Sequence, residues 1–137
     1  MIKRIAHVGI ATQSIAAAGE FYNYLGLELN RVEVVEDQKV KVAILEVGDS
    51  AIELIEATQE DSLIQRFVDK RGPGLHHMTL EVDNLEEQLA FLKEKGIKLI
   101  DEKPRQGAEG ALIAFVHPDS TGGVLIELSQ PAPEGLS

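Results

Sequence analysis

The strongest constraint on this chain is that it repeats itself. Aligning Ile5-Ala6-His7-Val8-Gly9-Ile10 with Leu75-His76-His77-Met78-Thr79-Leu80 sets His7 against His77 at an offset of 70 positions; the same offset pairs Phe21 with Phe91, Gly26 with Gly96, Leu27 with Ile97 and Leu29 with Leu99. Farther along, Ile52-Glu53-Leu54 matches Ile126-Glu127-Leu128 at an offset of 74, so the second half carries four additional residues, placed in the loop His117-Pro118-Asp119-Ser120-Thr121-Gly122-Gly123. Self-similarity at a fixed spacing makes each half one supersecondary unit. At 137 residues there is room for one domain built from both halves, not for two independent catalytic domains.

Residues 4–11 alternate around β-branched residues and read as a strand; Ser14 caps a helix running to Leu25, which Gly26 ends. Strands follow at 28–35, 39–47 and 51–56, separated by turn chemistry at Glu36-Asp37-Gln38 and Gly48-Asp49-Ser50. Between the halves, Leu63, Ile64, Phe67 and Val68 recur at helical spacing, and Arg71-Gly72-Pro73-Gly74 stops that linking helix. The second half repeats the order with a strand at 75–82, a helix over 84–95 ended by Gly96, and strands near 97–101, 111–117 and 124–129. Each half is therefore β-α-β-β-β. The expected modules are 1–57 and 75–130 around a linking segment 58–74, and the tail, 131–137, has loop composition and is expected to fray.

Side chains alternate across a strand, so parity assigns faces. Ala6, Val8 and Ile10 take the face that packs on the helices, leaving His7 on the other; Met78, Leu80 and Val82 do the same with His76, leaving His77 beside Thr79 and Glu81. Ile52 and Leu54 oppose Glu53, and Val124, Ile126 and Leu128 oppose Glu127. One His on a strand is ordinarily a core or edge residue, and one Glu between apolar neighbours is ordinarily the wet side of an amphipathic strand. Two His and two Glu that recur at matched places on one parity are what a pseudo-twofold metal site requires. Carboxylates mixed with imidazoles suit Mn²⁺, Co²⁺, Ni²⁺, Zn²⁺ or Fe²⁺ better than Ca²⁺ or Cu⁺.

Composition narrows the function classes. The chain has no cysteine, which removes disulfides, thiolate metal sites and Cys nucleophiles. Its net charge of −10, from 23 acidic and 13 basic residues with no basic patch, disfavours nucleic acid and anionic lipid as partners. No run approaches the roughly 20 apolar residues that span a bilayer, and the N-terminus carries no signal-peptide pattern, so the expectation is a soluble, cytoplasmic protein. Phosphate-binding loops, dinucleotide fingerprints and activated Ser motifs are absent.

These residues resemble the vicinal oxygen chelate superfamily, the glyoxalase-like fold, over nearly the whole chain. The resemblance implies an α+β fold in which two βαβββ modules form an open, cupped mixed sheet with helices on the outside. Around one divalent cation (Co, Ni, Mn or Zn) it sets His7, Glu53, His77 and Glu127 as ligands. Within the superfamily, Ile5-Ala6-His7-Val8-Gly9-Ile10-Ala11, Gly74-Leu75-His76-His77, Asp101-Glu102-Lys103-Pro104-Arg105 and the His117-Pro118 segment that ends in Gly122-Gly123-Val124-Leu125-Ile126-Glu127-Leu128 look like the methylmalonyl-CoA epimerases. That likeness implies an isomerase that exchanges the C2 epimers of an acyl-CoA through a metal-stabilised enolate, with Glu127 and then Glu53 as candidate bases, and a homodimer.

Two positions depart from the pattern. The epimerases often have glutamine where this chain has Glu53, and two carboxylates look more like lactoylglutathione lyase, the glyoxalase alternative. A glutamate proposed as base in some epimerases falls near Val42 and does not transfer. Extradiol dioxygenases use two His and one carboxylate, which a fourth ligand argues against, and drug-binding members of the fold sequester ligands without metal. His76 on the helix side reads as structural, His117 before Pro118 as a turn former, and the segment 103–110 as a turn. Arg66, Lys70 and Arg71, or Lys103 and Arg105, are candidate cations for an anionic coenzyme A tail or simply solvated surface.

Overall fold

The computed structural model describes residues 1–133. In chain order the elements are β1 (Ile2–Thr12), α1 (Ile15–Tyr24), β2 (Arg31–Val35), β3 (Val40–Val47), β4 (Ser50–Ala57), α2 (Leu63–Arg71), β5 (Gly74–Val82), α3 (Leu85–Glu94), β6 (Arg105–Gln106), β7 (Leu112–Val116) and β8 (Ile126–Gln130). The eight strands form one sheet in the order β2-β3-β4-β1-β5-β8-β7-β6. It is a mixed sheet: β1 runs parallel to β4 and β5 parallel to β8, while β2–β3, β3–β4, β6–β7 and β7–β8 are antiparallel. With three α-helices among the described residues this is an α+β fold, and the order β-α-β-β-β occurs twice. Among the described residues no helix is long and apolar enough to cross a membrane.

The chain divides into two compact units, one of Met1–Ala6 with the chain from His77 onward, the other His7–His76. In the unit His7–His76, β4 is buried on both faces. Leu54, fully buried, joins Ile15, Ala43 and Leu45 with Ile10, Ala18, Tyr22 and Ile52 on the α1 side. Its neighbour Ile55 joins Ala11, Val40, Ile64 and Val68 with Val42, Ala57 and Phe67 on the α2 side. The strand alternation explains this pairing, and it puts Glu53 on the α2 side of β4, two residues before Ile55. Val42, partly buried, packs against that apolar cluster.

In the other unit, Leu85 and Leu89 of α3 pack with Val82, Ala114, Val116 and Leu128, and Leu80, Leu92, Ile97 and Ile126 complete the core. Leu80, Val82, Ile126 and Leu128 thus take the parity expected of them, opposite Thr79, Glu81 and Glu127. Leu85 is fully buried; Leu85→Ala is expected to lower the unfolding free energy by about 2–5 kcal/mol in chemical denaturation, the cost of lost burial plus a cavity.

The duplication extends to the helix ends. Ser14 Oγ accepts from Ala17 N at 3.2 Å and Asn84 Oδ1 from Glu87 N at 3.1 Å, while Gly26 and Gly96 end both helices at φ of 87° and 79°, a left-handed conformation that costs glycine little. A second cap is repeated as well: Ile15 N donates to Glu56 Oε1 at 2.7 Å and Leu85 N to Gln130 Oε1 at 2.8 Å. Each satisfies a first-turn N–H that lacks an intrahelical partner.

Three expectations need correction. The strand expected at 28–35 begins only at Arg31. Residues 97–101 do not form a strand: Leu99 makes one isolated bridge to Val116, and the Asp101 carboxylate takes the Phe115 N–H at 2.8 Å, the donor a continuing ladder would use. The strand paired to β7 is instead β6. Val124 does not join the apolar face but stays exposed before β8, where its N–H donates to Thr121 Oγ1 at 3.1 Å. The longer second half is explained by the last hairpin: β3 and β4 are joined by Gly48-Asp49, whereas β7 and β8 are joined by 117–125, with a 3-10 turn at Pro118–Ser120. Of the tail expected to fray, 131–133 carry no regular element and 134–137 lie outside the described residues.

Candidate metal centre

The candidate ligands stand at matched register positions. On β1 and β4, Gly9 lies opposite Glu53, and Ile44 of β3 lies opposite Glu53 from the other side. On β5 and β8, Thr79 lies opposite Glu127, and Phe115 of β7 flanks Glu127 in the same way. The two halves therefore present a His and a Glu through the same strand geometry.

Their surroundings differ. In the unit His7–His76, His7 Nδ1 lies 3.2 Å from Glu53 Oε2, with side chains 19% and 21% exposed. In the other unit, His77 Nε2 lies 3.7 Å from Glu127 Oε1, with side chains 9% and 11% exposed. The His77 ring stands edge-on to Phe115 at 6.2 Å between centroids. Thr79, itself buried, donates its hydroxyl to Glu127 Oε1 at 2.5 Å. Burial pushes the Glu127 carboxyl above the ordinary carboxylate value; the Thr79 hydrogen bond and the Arg105 charge oppose that rise, and the Asp101 charge adds to it. Arg105 pairs with Asp101 at 3.3 Å and stacks over the Phe115 ring at 5.5 Å.

In each unit an imidazole and a carboxylate stand side by side, His7 with Glu53 and His77 with Glu127, and each pair offers donor atoms that could hold a metal ion. Imidazole and carboxylate donors with no thiolate fit a borderline divalent cation, the class expected from composition.

His76 falls where parity set it, and His117 shapes a turn. His76 is stacked edge-on against Phe67 of α2 at 5.0 Å, and burial lowers its imidazole below the ordinary value. His117 caps the 3-10 turn, its Nδ1 accepting from Asp119 N at 3.0 Å. The segment 103–110 is only in part the turn expected: Arg105–Gln106 form β6, and the chain turns after it, where Gly107 N donates to Ala111 O at 2.8 Å and Glu109 and Gly110 take left-handed φ of 55° and 78°. Thr79 was not singled out as functional by sequence reading, although it shares the parity of His77; register against Glu127 was the missing signal.

Residues 6–115 match the family model described as Glyoxalase/Bleomycin resistance protein/Dioxygenase superfamily. The mitochondrial methylmalonyl-CoA epimerase of Bos taurus is 36% identical over 129 residues, 93% of this chain and 74% of that one. The solved methylmalonyl-CoA epimerase of Mycobacterium tuberculosis is similar at 38% identity and a TM-score of 0.89, covering 97% of this chain and 91% of its own. A methylmalonyl-CoA epimerase solved in complex with methylmalonyl-CoA and NH4+ superposes with a TM-score of 0.86 at 35% identity, over 96% of each chain. By the extent of these matches, the chain belongs to the glyoxalase/bleomycin resistance protein/dioxygenase superfamily, the vicinal oxygen chelate family.

Proposed function

We propose that this chain is a divalent-metal-dependent methylmalonyl-CoA epimerase, an isomerase whose substrate is an acyl-CoA thioester. The observation that carries the reading is the His–Glu pair repeated in both halves, His7 with Glu53 and His77 with Glu127, in a chain whose relatives carry that activity. In this reading Glu53 completes the ligand set with His7, His77 and Glu127, and the cation is Co²⁺, Ni²⁺, Mn²⁺ or Zn²⁺. The duplicated modules are 1–57 and 75–130.

The C2 hydrogen between a thioester and a carboxylate is acidic only if charge developing on the thioester oxygen is stabilised. When bound, a divalent cation supplies that stabilisation as a Lewis acid. The chain's own residues must then move the proton, and inversion requires a group on each face of the planar carbon within hydrogen-bonding reach. Glu127 is the first proton acceptor we assign, because a ligand carboxylate that partly detaches can take a proton from a substrate held beside it. Glu53 is assigned the second role, since it occupies the equivalent register position in the other half.

A second reading, a glyoxalase-type lyase acting on a glutathione hemithioacetal, is favoured by Glu53, where the epimerases often have an amide. The purified chain, loaded with Co²⁺, is expected to exchange the C2 hydrogen of methylmalonyl-CoA for deuterium in D₂O, followed by NMR, and to leave the methylglyoxal–glutathione adduct unchanged. The reverse pattern establishes the lyase and ends the epimerase reading. We also propose that the chain acts in the cytoplasm as a homodimer, the oligomer its family resemblance implies; sedimentation at the monomer mass of 14.9 kDa refutes the dimer.

A further inference from the structure

The two halves of the site are duplicates in sequence and register, yet one position breaks the symmetry. The residue opposite Glu127 is Thr79, while the residue opposite Glu53 at the equivalent register is Gly9, which has no side chain to offer. Thr79 is 1% exposed, and its hydroxyl reaches the Glu127 carboxylate from the adjacent strand. A β-branched side chain on a strand has few accessible χ1 rotamers, so the donor arrives in a fixed direction.

A carboxylate presents about four lone-pair positions in one plane. A hydroxyl that occupies one of them, delivered from a rigid strand, sets the rotation of that plane and so decides which positions face His77. On the Gly9 side no such constraint exists in the side chain opposite, and the Glu53 carboxylate instead meets His7 Nδ1.

We infer that Thr79 is a positioning residue that makes the duplicated carboxylates unequal, orienting Glu127 as a metal ligand by a hydrogen bond that Gly9 has no atom to provide for Glu53. The inference rests on the metal-binding part of the proposed function and not on the identity of the substrate. Partners that hydrogen-bond a ligating carboxylate typically hold about 10–100-fold of metal affinity.

The test titrates CoCl₂ into the metal-free wild-type chain, T79V, T79A and T79S, reading visible d–d absorption and calorimetric affinity. Valine keeps the β-branched shape without the hydroxyl, and T79A supplies the same deletion should T79V fail to fold. The expected result is Co²⁺ binding weakened by about 10–100-fold in T79V and T79A, with altered d–d bands, and wild-type affinity and bands restored in T79S. A purely structural Thr79 would shift thermal stability and leave the bands unchanged. Wild-type affinity and bands in T79V and T79A overturn the role of Thr79 alone. Absence of Co²⁺ binding by the wild-type chain overturns it together with the metal-dependent reading.

Discussion

Replacing His77 with alanine is expected to weaken divalent-cation binding by more than about 100-fold, beyond what loss of a supporting hydrogen-bond partner costs. His77 and Glu127 are the less exposed of the two His–Glu pairs, so water does not readily replace the lost imidazole. The adjacent His76 is the internal control. One residue away on β5, it falls on the opposite parity and stacks on Phe67, so His76→Ala is expected to lose packing stability and keep wild-type Co²⁺ affinity. Isothermal titration of both variants decides the matter: equal losses in H76A and H77A, or wild-type affinity in H77A, would refute the assignment of His77.

Replacing Glu127 with glutamine is expected to slow exchange of the substrate C2 hydrogen in D₂O by about 10²–10⁴-fold, the usual contribution of a positioned proton acceptor. Exchange at the wild-type rate in E127Q with metal retained would remove Glu127 from that role. The same variant has a second expected property, which concerns the metal-free fold. Burial raises the Glu127 carboxyl above its unfolded value, so its protonated form is favoured in the folded state. The stability associated with that proton is fully present below the ordinary carboxylate range and is lost as pH rises through the elevated folded value. Metal-free E127Q, neutral throughout, is therefore expected to melt above metal-free wild type at neutral pH and to converge with it in acid. Thermal melts from acid to neutral pH check this, and a Tm for E127Q equal to or below that of the wild type at neutral pH would show that burial of the charge is compensated.

Much of the site was legible in the residues because it is local and periodic. The offsets that relate His7 to His77 and Glu53 to Glu127 are visible without any fold, and the period of two within a strand separates His76 from His77 and Glu53 from Leu54. Helix limits were also readable, since Ser14, Asn84, Gly26 and Gly96 act on atoms within a turn of themselves. What escaped were contacts between strands distant in sequence. Asp101 interrupts a strand because its carboxylate reaches Phe115 N, and the paired caps from Glu56 and Gln130 cross to helices that precede them by many residues. Nothing in the composition of 97–101 announces the first, and nothing near Ile15 or Leu85 announces the second.

The sequence by itself determined which residues recur, which face of each strand they share and which class of metal ion their donors suit, because spacing, parity and donor chemistry are properties of the chain as written. Only the tertiary structure decided that Thr79 stands opposite Glu127 while Gly9 stands opposite Glu53, and that α2 packs on the Ile55 side of β4. Those outcomes depend on strand register and on which apolar surfaces find each other, and register is set by pairing between segments whose separation along the chain carries no record of it.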